Sequence, residues 1–247
     1  MANKKIRLGV NIDHIAFIKK SRDTLYPNLL DAVRISEHAG ADLITIHLRE
    51  DRRHIQDKDA LDIRQYAKVL NFEMANTVEM IQFALTLKPD FCCIVPEKRE
   101  EKTTEGGLSL SSYTDKQIAS LKRTITDFRN HKIKTSLFID PDNRSIDIAK
   151  DVGADLVELH TGKYANQFNT INEFEALEEI TSASRYAHSK DLLVNVGHGL
   201  NYENLSEICK LDHINEVNIG HAIIAQAVFT GLNDAIKKII SIINNCD

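Results

Sequence analysis

Imidazoles and carboxylates gather in this chain at one kind of position, directly after short apolar or β-branched runs. In chain order they are Asn11, Asp13 and His14; His47, Arg49 and His54; Glu73; Glu97 and Lys98; Asp140; Glu158 and His160; Asn195 and His198; and His221 behind Gly220. Imidazole exchanges its proton near neutral pH without help, and a carboxyl joins it when burial raises its pKa. A single His at such a place is ordinarily a satisfied structural residue. Repetition at the ends of different runs points instead to a site that moves protons.

Two glycine turns add an anion-binding character. Gly197-His198-Gly199 and Gly220-His221 present bare backbone N–H groups, which stabilise a dianion, above all beside a helix N-terminus. Taken alone, Gly-x-Gly is an ordinary tight turn; two such turns after successive runs favour a phosphorylated substrate. Glu73 stands within Phe72-Glu73-Met74-Ala75, where an ionised carboxylate is costly. Either a partner neutralises it or it points into a working site, where a raised pKa suits proton transfer. The charge run Leu48 to His54 has the look of a solvated face, yet its place after an apolar run makes an Arg a candidate anion clamp. Arg22, in a long first loop, is a similar candidate.

These residues need elements to carry them, and the chain alternates strand-like runs with longer segments of helical spacing. Strands are expected at 6–12, 43–48, 71–75, 91–95, 135–139, 156–160, 192–196 and 217–219. Helices are expected at 28–39, 57–69, 77–87, 115–131, 144–152, 172–189, 203–210 and 222–243, the last broken near Gly231. Gly40 and Gly153 suit left-handed helix ends, and Thr114 with Gln117 reads as a capping box. The octet Gly40-Ala41-Asp42-Leu43-Ile44-Thr45-Ile46-His47 returns as Gly153-Ala154-Asp155-Leu156-Val157-Glu158-Leu159-His160. Eight βα units without a linker match a closed α/β barrel, the (β/α)8 or TIM barrel, better than an open doubly wound sheet. Residues 1–247 are read as a single domain. The polar stretch from Glu97 to Tyr113 reads as an active-site lid or an inserted element.

Bulk composition agrees. With 247 residues, 43% hydrophobic and 27% charged, the chain can bury one substantial core. A net charge of −5 from 31 basic and 36 acidic residues leaves no basic stripe, so nucleic acid is not an expected partner. Cys92, Cys93, Cys209 and Cys246 have no CxxC spacing and read as reduced structural thiols. No run suits a signal peptide or a membrane span, so the expected compartment is cytoplasmic.

Six stretches carry a family resemblance. They are Gly9-Val10-Asn11-Ile12-Asp13-His14-Ile15-Ala16; Ile46-His47-Leu48-Arg49-Glu50-Asp51-Arg52-Arg53-His54-Ile55; Phe91-Cys92-Cys93-Ile94-Val95-Pro96-Glu97-Lys98-Arg99; Thr103-Thr104-Glu105-Gly106-Gly107; Gly197-His198-Gly199-Leu200; and Asn218-Ile219-Gly220-His221-Ala222-Ile223-Ile224. In this order, from about Ile6 to Ala235, the chain resembles the pyridoxine 5'-phosphate synthase family. The resemblance implies condensation of 3-amino-2-oxopropyl phosphate with 1-deoxy-D-xylulose 5-phosphate, without metal or organic cofactor. It further implies a barrel with added helices and a homo-octamer. By position in the motifs, His47 and Glu73 would accept protons, His198 would donate one, and Glu158 would stabilise a transition state. Asn11, Arg22, Gly199, Gly220 and His221 would hold the aminoketone phosphate; Asp13, His14, Arg49, His54 and Thr103 would hold the xylulose phosphate. Two departures stand out: Asp23 follows Arg22 where Gly is expected, and the stretch from His54 to Glu73 is about one residue short.

Two other classes fit parts of the pattern. A metal-dependent sugar-phosphate epimerase or aldolase on the same fold would use His47, His160, His198 and His221 as ligands. A non-catalytic binder of B6 phosphates would keep the glycine turns and have no need of Glu73.

Overall fold

The computed structural model describes residues 6–22, 24–97 and 106–246. Eight parallel strands close in chain order: β1 (Arg7–Asn11), β2 (Leu43–His47), β3 (Leu70–Met74), β4 (Phe91–Ile94), β5 (Lys134–Ile139), β6 (Leu156–His160), β7 (Leu193–Gly197) and β8 (Ile214–Ile219). β8 pairs back onto β1, completing the expected (β/α)8 barrel. The helices are α1 (Asp13–Lys20), α2 (Leu29–Ala39), α3 (Asp57–Tyr66), α4 (Val78–Leu87), α5 (Asp115–Asn130), α6 (Asn143–Val152), α7 (Gly162–Gln167), α8 (Glu173–Ser189), α9 (Leu205–Cys209), α10 (His221–Thr230) and α11 (Leu232–Asn244). Relative to one helix per strand, α1 and α7 are additional, and Gly231 divides α10 from α11 as expected.

Strand residues alternate between two environments, as a pleated strand requires. Ile44 and Ile46, Phe72 and Met74, Val157 and Leu159, and Val217 and Ile219 join the buried apolar core. Between them stand Thr45, Asn71, Glu158, Glu216 and Asn218, which hydrogen-bond to one another inside the barrel. Glu73 falls at the interior phase of β3, with Phe72 and Met74 completely buried on either side. Burying an apolar side chain contributes about 1.5–3 kcal/mol, so strand orientation is decided by the outward faces. The polar interior is carried by that choice.

The repeated octet has a structural meaning. Gly40 (φ 108°) and Gly153 (φ 89°) end α2 and α6 in the left-handed conformation. Asp42 Oδ2 then accepts the Leu8 N–H, and Asp155 Oδ2 accepts the Thr135 N–H, each at 2.9 Å. Each Asp thereby ties its own strand to the start of the preceding one, and each strand ends in His, at His47 and His160. The Thr114/Gln117 capping box of α5 forms as expected.

Two expectations change. Helix α1 occupies what reads in sequence as loop, so Asp13 and His14 lie in a first helical turn. β8 starts at Ile214 rather than 217, because Asn215 and Glu216 interrupt the apolar run yet belong to the barrel interior. Of the Glu97–Tyr113 stretch, residues 98–105 lie outside the described residues. Its far end is anchored: Gly107 N–H donates to Asp140 Oδ1 at 3.0 Å and Leu108 N–H to the Phe138 carbonyl at 2.8 Å.

Candidate active site

The polar residues at the strand ends converge on one cavity of about 490 Å³. Asn11, Asp13, His14, His47, Arg49, His54, Glu73, Glu158, His198, Gly199, Gly220 and His221 all line it. Strand C-terminal ends and the loops after them build active sites in this fold, and the parallel register delivers these residues together. β2 and β3, for example, place His47 directly opposite Glu73.

Asp13 is fixed from three sides. The Asn11 side chain donates to it at 3.1 Å and accepts the Asp13 N–H at 2.9 Å, while the Asp13 carboxylate takes the His47 backbone N–H at 3.0 Å. Burial pushes the Asp13 carboxyl up to about 6, against the lowering effect of His47 and these hydrogen bonds. The His47 ring lies between two carboxyl groups, its Nε2 at 2.8 Å from Glu97 Oε1 and its Nδ1 at 3.9 Å from Glu73 Oε2. Burial raises Glu73 well above the usual carboxyl range, and the nearby carboxyls of Glu158 and Asp13 raise it further.

Glu158 lies deeper, 3% exposed, accepting a hydrogen bond from Asn218 Nδ2 at 2.9 Å. Burial and then Glu216 push its carboxyl up to about 8. Gly197, on the neighbouring strand, has to lack a side chain here, since a Cβ would stand 2.2 Å from Glu158 Oε1. One residue on, His198 has φ 80°, a left-handed conformation that non-glycine residues adopt at a cost. Thr161 Oγ1 holds this turn by donating to the carbonyls of Gly197 and His198. Burial, then the neighbouring His160, pushes His198 down to about 4. The His160 ring in turn lies 4.8 Å from that of His198, tilted 54° to it, and places Nδ1 3.2 Å from Asp140 Oδ1.

The opposite wall carries His54, Arg49, His14 and His221. His54 packs its ring edge-to-face on Phe17 at 4.6 Å and is pushed down to about 3 by burial, then by His47 and Arg49. Arg49 is 3% exposed with Nε 3.7 Å from Asp51 Oδ1. His14 and His221 rings lie 5.0 Å apart, and burial, then His221, lowers His14. Gly220 caps the start of α10 and lines the cavity beside Gly199.

Two expected site residues are not among these. Arg22 is exposed in the turn after α1 and does not line the cavity, while Thr103 lies outside the described residues. Asn218, absent from the expected site, lines the cavity and holds Glu158. The signal for it was present, a polar residue within an apolar run, as for Glu73. Glu97 reads in sequence only as a polar strand-end residue; its pairing with His47 spans 50 residues. Of the four imidazoles considered as metal ligands, His160 and His198 lie beside each other, His221 lies beside His14, and His47 stands apart between Glu73 and Glu97. Among the described residues, the group with ligand atoms all within 4.8 Å is Asp13, His47 and Glu73.

Comparison with known proteins gives the family. Residues 8–245 match the family described as pyridoxal phosphate biosynthesis protein PdxJ. The pyridoxine 5'-phosphate synthase of Thioalkalivibrio sulfidiphilus is 50% identical over 233 residues, covering 94% of this chain and 93% of that protein. The enzyme of the same name from a Sulfurihydrogenibium species is 50% identical over 244 residues, covering 97% and 98%. Among solved structures, phosphoribosyl anthranilate isomerase from Thermus thermophilus has a TM-score of 0.58 at 11% identity, covering 98% of this chain and all (100%) of that one. KGPDC from Streptococcus mutans has a TM-score of 0.63 at 14% identity, covering 98% and 99%; at such identities the likeness concerns the barrel alone. Matched along nearly its whole length, the chain belongs to the PdxJ family of pyridoxal phosphate biosynthesis proteins.

Proposed function

We propose that this protein condenses 3-amino-2-oxopropyl phosphate with 1-deoxy-D-xylulose 5-phosphate to give pyridoxine 5'-phosphate, inorganic phosphate and water. The observation that carries the reading is the convergence on one cavity of every residue assigned through the family motifs except Arg22 and Thr103. The names of the relatives point to the same reaction.

Joining an amine to a ketone, expelling water and phosphate and closing a ring requires protons to move at several atoms. Three groups suit that work. His47 and Glu73 lie on adjacent strands with His47 Nδ1 and Glu73 Oε2 3.9 Å apart, close enough to serve neighbouring atoms of one substrate. His198 stands on the far side between the glycines of its turn. A neutral imidazole at pH 7, it gains proton affinity when a phosphate dianion settles on the N–H groups of Gly199 and Gly220. Binding of the aminoketone phosphate thereby loads the proton that His198 later donates. Glu158, kept protonated by its surroundings, offers an O–H donor to negative charge developing in the transition state.

Asn11, Gly199, Gly220 and His221 would hold the aminoketone phosphate, with Arg22 joining them only if its turn moves toward the cavity. Asp13, His14, Arg49 and His54 would hold the xylulose phosphate, with Thr103 as a further contact. We assign no metal to the cycle: an ion on Asp13, His47 and Glu73 would occupy the groups that must exchange protons. Chelator treatment followed by metal analysis tests this, since restored activity on adding back a divalent ion would contradict it. The proposed assembly is a homo-octamer, as the family resemblance implies, and exposed apolar side chains such as Leu25, Tyr26, Ile171, Phe174 and Phe229 suit self-association. Among the described residues no helix is long and apolar enough to cross a membrane. The four cysteines are free thiols, in keeping with our placement of the protein in the cytoplasm.

Phosphate release tests the reaction. Purified protein should liberate inorganic phosphate only when both substrates are present; equal release from either one alone would contradict a condensation.

A further inference from the structure

We propose that Glu97 is a positioning residue for the reaction: it holds the His47 ring with its proton on Nε2, leaving the Nδ1 lone pair on the Glu73 side. This rests on the reading of His47 as a proton acceptor. Glu97 Oε1 is 2.8 Å from His47 Nε2, and both side chains are 6% exposed. The other oxygen, Oε2, accepts the Glu50 backbone N–H at 3.1 Å. Burial acts to raise the Glu97 carboxyl, but the hydrogen bond and charge of His47, then Glu50 N–H and Arg49, leave it below the usual value. An ionised carboxylate only accepts, so the nitrogen facing it must be the protonated one. In a neutral imidazole the second nitrogen is then bare, and a bare nitrogen is what a general base requires.

Other groups around His47 do not compete for this role. Asp13, from α1, takes the backbone N–H and not the ring. Glu73, from β3, is 3.9 Å from Nδ1, beyond hydrogen-bond range. His54 lies in the same loop as Arg49 with its ring 6.1 Å from that of His47. The arrangement is that of a base and its orienting carboxylate, with the catalytic ring between carboxylate and substrate. Glu97 borders a separate small recess with Arg49 and Glu50 and does not line the main cavity, so it acts through His47.

Glu97→Gln is the discriminating change because an amide has one oxygen. The Glu50 N–H recruits that oxygen, the NH₂ turns toward His47, and the imidazole proton is driven to Nδ1. Nitrogen-15 NMR of the full-length protein near neutral pH, with His47 assigned through His47→Gln, should show the Nε2–H tautomer. The Nδ1–H tautomer should appear in Glu97→Gln, whereas Glu97→Asp, which keeps two acceptors, retains Nε2–H. Turnover should fall about 10²-fold or more in Glu97→Gln, with KM for both substrates changing less than about threefold. If Glu97→Gln does not fold, Glu97→Ala serves instead, and mixed tautomers with the same kcat loss are expected. An unchanged tautomer or kcat, in a background where His47→Gln is inactive, overturns the role of Glu97 and leaves His47 in place. Full activity of His47→Gln overturns the reading of His47, and this inference with it.

Discussion

Asp13, Glu73 and Glu158 face one cavity, and burial raises all three carboxyls, Asp13 to about 6 and Glu158 to about 8, with Glu158 and Asp13 adding repulsion at Glu73. Glu73 is the one best placed to exchange its proton with a substrate. Glu73→Gln keeps the shape and removes the acid/base function, so kcat should fall about 10²- to 10⁴-fold, while loss of a buried carboxyl held above its usual range should raise the melting temperature at neutral pH; steady-state turnover beside a melting curve checks both. Glu158 gives a pH signature of its own. Its pKa of about 8 in the folded protein exceeds the ordinary 4.5, so its contribution to stability is complete below about 4.5 and fades as pH rises through 8. Glu158→Gln should therefore melt above the unaltered protein at pH 9, with the margin shrinking toward pH 5. A margin that grows toward acid would reverse the assigned sign. At this scale Glu73 was legible because a carboxylate within an apolar run demands an explanation. Glu97 was legible only as a polar strand-end residue: its partner is on another strand, and tertiary structure alone brings the two together.

The strands explain why such residues meet. Outward aliphatic side chains orient each strand on its helices, and the period of two then turns Thr45, Asn71, Glu73, Glu158 and Asn218 inward. All eight strands could be read from their apolar runs, and the α2 and α6 ends from Gly40 and Gly153. The start of β8 was hidden because Asn215 and Glu216 resemble a loop until the interior that receives them is known. Helix α1 was hidden for a different reason: it has no side-chain cap and begins two residues beyond β1. Where β6 and β7 adjoin, Gly197 leaves room for Glu158. Gly197→Ala should destabilise by about 1–3 kcal/mol through that overlap and disturb Glu158, lowering activity as well. Adding Glu158→Ala should recover part of the lost stability and none of the activity, a coupling that denaturant melts of the double-mutant cycle resolve. Additive losses would show that the two residues do not compete for space.

Across the whole molecule, an apolar outer layer and a polar interior divide the labour between stability and chemistry. The barrel as a class was legible because eight βα units in succession leave little alternative. Assembly was not, since exposed apolar residues such as Ile171 and Phe229 do not name what covers them. Sedimentation equilibrium should report eight times the 27.9 kDa chain mass; a concentration-independent monomer would refute the proposed octamer. The most direct test of the account is mass-spectrometric detection of product from purified protein supplied with both phosphorylated substrates after chelator treatment. The account predicts pyridoxine 5'-phosphate and inorganic phosphate in equal amounts, both lost in Glu73→Gln. Absence of pyridoxine 5'-phosphate with the unaltered protein, or its formation at an undiminished rate by Glu73→Gln, would contradict it.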